Sequence, residues 1–248
     1  MIDLQSHFIF PTHAVAGAGP LPPGASALAV TAEDGDVLRG VHIPAEAPAG
    51  VRTLILGFGG NAWNGQDVAA YLAELFPDAD VVAFHFRGYR PSEGSPSADA
   101  LIADAPLVYD AAVKAARPKR VVAVGFSIGS GIAAELSTKR DLDGVILVTP
   151  FDSLKAAAQS LYPWLPIGAL FRHDIDAADA LERSGVPTAI IAAANDDIIL
   201  AEHSDALRRR IGKSIRFDRT IARAGHNDIY SRSDFQLAMR AALNALIG

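Results

Sequence analysis

The chain has 248 residues, 50% of them apolar and 20% charged, which suffices for one large hydrophobic core. A net charge of −6, with no basic cluster larger than Arg208-Arg209-Arg210, excludes a concentrated phosphate-binding face and so a nucleic-acid partner. Cysteine is absent, which excludes disulfides, thiol catalysis and thiolate-held metals, and no apolar run reaches the roughly 18 residues of a membrane span.

In chain order, residues 1–26 form an extension rich in Pro, Gly and Ala, without the positive start and apolar core of a secretory signal; the expected location is cytoplasmic. Ala27 to Ile43 predicts two strands around Glu33-Asp34-Gly35-Asp36, a hairpin turn. From Val51 onward, strand-length apolar runs alternate with amphipathic segments of helix length. The runs are Thr53 to Phe58, Val81 to Phe86, Val121 to Val124, Val145 to Thr149, Thr188 to Ala193 and Ile215 to Ile221. Helices are predicted near Gln66–Leu75, Asp99–Ala116, Ile128–Thr138, Asp176–Arg183, Glu202–Ile211 and Ser233–Leu246. Such alternation predicts an α/β fold, a mostly parallel sheet with helices on both faces and an antiparallel N-terminal hairpin, in a single domain over residues 1–248.

One stretch carries chemistry on its face. Val121 to Val124 is a buried-strand pattern that breaks into Gly125-Phe126-Ser127-Ile128-Gly129 and then a helix-prone stretch. Strand, G-x-S-x-G and helix describe a sharp turn that holds a serine hydroxyl clear of the sheet, making Ser127 the candidate nucleophile. Gly125, Gly129 and Gly131 also spell a nucleotide-binding turn of dehydrogenase type. That turn belongs after a first strand, whereas buried strands come earlier here, and none of the five tyrosines is followed four residues later by the required Lys.

A serine hydroxyl needs a base and a group to orient that base. In open α/β sheets these partners lie at the carboxyl ends of strands. Asp196 and Asp197 follow the run that ends at Ala193, and His226 follows the run that ends at Ile221. The order Ser, Asp, His matches the arrangement in which His226 takes the hydroxyl proton and a carboxylate holds its tautomer. Spacing alone leaves Asp196 and Asp197 open. Two backbone N–H groups should receive the developing oxyanion, one from Ile128 and the other from Asn61 in Gly57-Phe58-Gly59-Gly60-Asn61-Ala62.

These residues together resemble the α/β-hydrolase superfamily, in particular its lidless serine-hydrolase branch of acyl-protein thioesterases and serine-aminopeptidase-like members. Gly57 to Asn64 is similar to that branch's H-G-N-A-x-N loop, and Phe86 to Ser97 to its R-G-Y-G-x-S-x-G-x-P-S signature. Gly125 to Ile132 is similar to its nucleophile element and Asp196 to Leu200 to its D-x-x-V-P element, which selects Asp196 as the acid. Gly59 stands where the branch has His, Arg90 where it has Gly, and Ala193 and Leu200 where it has Gly and Pro.

The resemblance implies an α/β-hydrolase fold and a serine hydrolase that cleaves a small-molecule carboxylic ester or thioester through an acyl-enzyme. No metal or organic cofactor is implied, and the rate should rise with pH as His226 gives up its proton. Residues 151–173 stand where lids insert; Leu161-Tyr162-Pro163-Trp164-Leu165-Pro166 and Leu170-Phe171 would either wall an acyl pocket or cover the sheet. Amide cleavage by the same residues and a non-catalytic binding role are the alternatives. Oligomeric state and acyl-chain length are not encoded legibly.

Overall fold

The computed structural model describes residues 10–46, 50–164 and 174–248. The chain divides into two compact units, Met1–Val121 and Val122–Gly248.

In the first unit β1 (Ser26–Thr31) and β2 (Val37–Ile43) form the antiparallel hairpin, with Ser26 opposite His42 and Thr31 opposite Val37. Gly35, at φ 94°, supplies the left-handed residue that its turn requires. β2 then pairs antiparallel with β4 (Asp80–Phe84), which pairs parallel with β3 (Thr53–Phe58), giving the order β1-β2-β4-β3. Every residue of β3 and β4 is buried, as strands covered on both faces should be. Helix α1 (Gly65–Leu75) starts where Asn64 accepts the Asp67 N–H at 2.9 Å, and it buries Val68, Ala69, Leu72 and Leu75. Helix α2 (Ala98–Ala116) is capped by Ser97 and stops at Arg117, a left-handed residue.

Arg87, 5% exposed, fastens this unit internally. Its guanidinium binds Asp104 of α2 at 3.0 and 2.6 Å, Asp36 at 2.8 Å, and Asp34. Burial pushes the Asp104 carboxyl above its ordinary range although Arg87 pulls the other way. Removing either partner leaves a buried charge uncompensated.

The second unit holds β5 (Arg120–Phe126, which begins at the unit boundary), β6 (Gly144–Val148), β7 (Thr188–Ala193) and β8 (Ile215–Ile221), all parallel in that order. Their crossovers contain α3 (Ile128–Leu136), α4 (Leu154–Leu161), α5 (Ala177–Ser184) and α6 (Ala201–Ile211), and α7 (Ser233–Ile247) follows β8. β6 and β7 are buried throughout, whereas β8 leaves most of its residues partly or fully exposed, among them the charged Arg216, Asp218 and Arg219, as suits an outer strand.

Two sequence readings change. Residues 154–161, assigned no element from the sequence, form α4, capped by the Ser153 hydroxyl on the Ala156 N–H at 3.1 Å. Tyr162 and Trp164 do not cover the sheet: they are 42% and 78% exposed and meet edge to face. Leu165, Pro166, Leu170 and Phe171 lie outside the described residues.

Candidate active site

Ser127 sits between the end of β5 and the first residue of α3 with φ 51° and ψ −117°, a conformation that costs a non-glycine residue about 1–3 kcal/mol. The surroundings enforce it. The Ser127 N–H donates to Val148 O of β6 at 2.9 Å, and its carbonyl accepts from the Ser130 N–H at 2.9 Å and hydroxyl at 2.6 Å. A Cβ on Gly125 would stand 2.3 Å from Gly129 O, so only glycine lets the helix start so close to the strand.

His226 lies in the loop after β8 and is 6% exposed. That loop is shaped by the Gly225 N–H donating to Asp228 Oδ1 at 2.7 Å. It is tied to the loop after β7 by Asn195 N–H to Ala224 O at 2.8 Å and Ala194 N–H to Ile221 O at 3.0 Å. Two strand ends therefore hold His226 and Asp196 in register.

The structure brings Ser127, His226 and Asp196 together. His226 Nδ1 lies 2.9 Å from both Asp196 oxygens, and Nε2 lies 3.1 Å from Ser127 Oγ. A carboxylate only accepts, so the ring proton is on Nδ1 and Nε2 is left to accept the Ser127 proton. Asp196 Oδ1 also accepts the Ile198 and Ile199 N–H groups at 3.0 and 2.8 Å, and its side chain is 4% exposed. Asp197, the other residue that spacing left open, is exposed.

Ile128 is the first residue of α3, and its N–H has no acceptor among the described residues. It is one of the orphan donors that every helix start leaves. Asn61 lies in the first unit, in the turn after β3, where its side-chain oxygen accepts the Tyr89 hydroxyl at 2.7 Å.

Some neighbours gave no sequence signal. Thr149, at the end of β6, is buried with φ 47°, an outlier for a β-branched residue. Its side chain bonds the Tyr230 hydroxyl; burial pushes that phenol up to about 12, the Thr149 bond opposes this, and the Asp196 charge adds to it. Tyr230 also meets Phe126 edge to face at 5.8 Å. A second hydroxyl–imidazole–carboxylate chain is present as well. His203, which lacks a strand-end position, places Nδ1 2.8 Å from Asp152 Oδ1 and Nε2 3.0 Å from Ser160 Oγ. No group of three or more His, Cys, Asp or Glu side chains that would hold a metal ion occurs among the described residues.

Comparison with known proteins agrees with this architecture. Residues 54–166 match the family model for the alpha/beta hydrolase fold. An uncharacterized protein of Mycobacterium tuberculosis is 29% identical over 221 residues, covering 85% of this chain and 78% of that protein. The lysophosphatidylserine lipase ABHD12 of Danio rerio is 29% identical over 137 residues, covering 48% of this chain and 36% of its own length. The solved structure of the Pyrococcus furiosus esterase Pf2001 superposes with a TM-score of 0.72 at 19% identity, covering 94% of this chain and 97% of that one. The chain has the α/β-hydrolase fold, shared with these proteins.

Proposed function

We propose that the protein is a serine hydrolase that cleaves a carboxylic ester or thioester through an acyl-enzyme. The observation that carries the reading is the chain from Ser127 Oγ through His226 to Asp196, at 3.1 and 2.9 Å, ending on a serine held at φ 51° ahead of a helix start. In this reading Ser127 Oγ attacks the acyl carbon while its proton passes to His226 Nε2, and Asp196 stabilises the imidazolium. The oxyanion is received by the Ile128 N–H at the start of α3. His226 then gives its proton to the leaving alkoxide or thiolate, and water repeats the sequence to release the carboxylic acid.

The esterase and lipase among the similar proteins favour ester over amide cleavage. The test is labelling with a fluorophosphonate probe, read by intact mass and by the modified peptide. A single adduct on Ser127 that disappears in Ser127→Ala is expected. Absence of any adduct in protein shown to be folded would overturn the assignment. Matched ester and amide substrates then separate esterase from amidase.

A further inference from the structure

Arg90, which stands where the resembled motif has Gly, finds a use in the first unit. A cavity of about 440 Å³ there is lined by Leu21, Leu28, Val41, Arg39, His85 and Arg90, among others. One wall is the segment 17–21, which Gln66 pins by donating to Gly19 O and Pro20 O at 3.0 Å each. Gln66 is 7% exposed, so the wall is fastened from the core side rather than draped over it.

His85 is 3% exposed and lines this cavity. Its backbone is satisfied: the N–H donates to Arg39 O at 2.9 Å and the carbonyl accepts the Ser92 hydroxyl at 2.9 Å. The ring is half satisfied. Nδ1 accepts the Gly65 N–H at 3.2 Å, which puts the ring proton on Nε2, and Nε2 has no hydrogen-bond partner among the described residues. A buried donor without a protein acceptor is costly unless water or a ligand atom accepts from it. Burial lowers the ring's affinity for a second proton, to about 4, and nearby Asp67 only partly opposes this, so the ring is a neutral donor through Nε2–H at ordinary pH.

The same cavity carries two guanidiniums that lack carboxylates among the described residues. Arg52 and Arg87, in the same unit, are each bound to Asp side chains, whereas the Arg39 and Arg90 guanidiniums make no ion pair among the described residues. Two guanidiniums without an ion pair among the described residues and one neutral donor, set against Leu21, Leu28 and Val41, form the complement of an anion with an apolar body.

We propose that this cavity is a binding site for a small organic carboxylate, its charge taken up by Arg39 and Arg90, a buried oxygen accepting from His85 Nε2–H, and its carbons lying on Leu21, Leu28 and Val41. The site is independent of the chemistry assigned to Ser127.

Octanoate is the probe, titrated into the full chain by calorimetry and, in parallel, by the ¹⁵N-resolved side-chain signal of His85. That signal reports this cavity and separates it from octanoate held elsewhere as a hydrolysis product. Saturable binding with a change in the His85 signal is expected, weakened about tenfold or more in Arg39→Gln combined with Arg90→Gly, the scale of lost charge-assisted hydrogen bonds. Octan-1-ol should bind about tenfold more weakly or worse by the same reasoning, and inorganic phosphate should not compete. The two arginines are exposed, so their variant should fold, which thermal unfolding verifies. An unmoved His85 signal up to about millimolar octanoate, an unchanged affinity in the double variant, equal binding of octan-1-ol, or full competition by phosphate would each overturn the proposal.

Discussion

The second unit contains two chains of serine hydroxyl, imidazole and carboxylate that distances do not tell apart. In one, Ser127, His226 and Asp196 are joined at 3.1 and 2.9 Å; in the other, Ser160, His203 and Asp152 are joined at 3.0 and 2.8 Å. Both imidazoles are 6% exposed. What differs is the backbone beneath the serine and the other partner of its oxygen. Ser127 is held at φ 51° ahead of α3, where the orphan Ile128 N–H points out of a helix start, and its hydroxyl has only His226 to bond among the described residues. Ser160 is the next-to-last residue of α4, a helix end that presents carbonyls, and its hydroxyl donates to Glu202 Oε1 at 3.0 Å. A proton already committed to a carboxylate is not released to an imidazole, and carbonyl oxygens repel an oxyanion. On the proposed reading, a nucleophile is therefore distinguished by its backbone setting; the three side chains are common to both.

The largest expected effect tests that distinction directly. Ser127→Ala should lower kcat on an activated ester by about 10⁴–10⁶-fold, the range seen when the nucleophile of such an array is removed. Ser160→Ala should change it by no more than about threefold, because surface-proximal substitutions away from the reacting atoms cost little. Comparable losses from the two would erase the difference. Gly125→Ala comes next. Its Cβ would meet Gly129 O at 2.3 Å and Gly129 C and Ser130 Cα at 2.5 Å, all backbone, so strand and helix must separate. We expect destabilisation of about 3 kcal/mol or more, from overpacking with a backbone shift, together with loss of activity. Denaturant unfolding and ester turnover on the same preparation read both.

The two chains also differ in how far the sequence reveals them. Ser127 was legible because G-x-S-x-G between an apolar run and a helix-prone stretch is a local pattern with a steric reason. Asp196 and His226 were legible because strand ends are where partners gather. The choice of Asp196 over Asp197 needed the resemblance, since its physical reason, two N–H groups from Ile198 and Ile199 folding back onto one oxygen, is a turn geometry that spacing does not show. The Ser160 chain was illegible: it joins a loop residue to two helices, and nothing local marks His203. Even α4 escaped, although Ser153 ahead of Leu154-Lys155-Ala156-Ala157-Ala158 is a readable cap, because the prolines and aromatics after it drew the reading toward a pocket wall. Arg87 and its three aspartates depend on a hairpin turn meeting α2, which is long-range and silent in sequence.

A third buried imidazole sharpens the contrast, because the ring of His85 has neither hydroxyl nor carboxylate hydrogen-bonded to it among the described residues. Burial lowers its pKa from 6.5 to about 4 in the folded state. Between those values the unfolded chain binds the extra proton and the folded chain does not, so stability falls as pH drops from about 6.5 toward about 4. Every tenfold loss of proton affinity on folding corresponds to about 1.4 kcal/mol, so the full loss of stability is about 3 kcal/mol. His85→Gln should flatten that portion of the stability curve, measured by urea midpoints across the acid range. A curve of unchanged slope would mean that the ring is protonated in the folded protein.

The smallest effect separates structure from chemistry in the second chain itself. His203 joins Asp152 to Ser160, and so fastens α6 to α4 and to the loop after β6. Its removal leaves an Asp152 side chain that is 22% exposed and so largely able to recover water, which limits the cost to about 1–2 kcal/mol. His203→Ala should therefore lower the urea midpoint while ester turnover stays within about threefold. His226→Ala should do the reverse, with turnover falling by about 10⁴-fold or more. A double-mutant cycle between His203 and Asp152 should return a coupling of about 0.5–1.5 kcal/mol in stability and none in kcat. Were His203→Ala to abolish turnover at unchanged stability, Ser160 would have to be counted a nucleophile despite its helix and its carboxylate, and backbone setting would lose its place as the deciding feature.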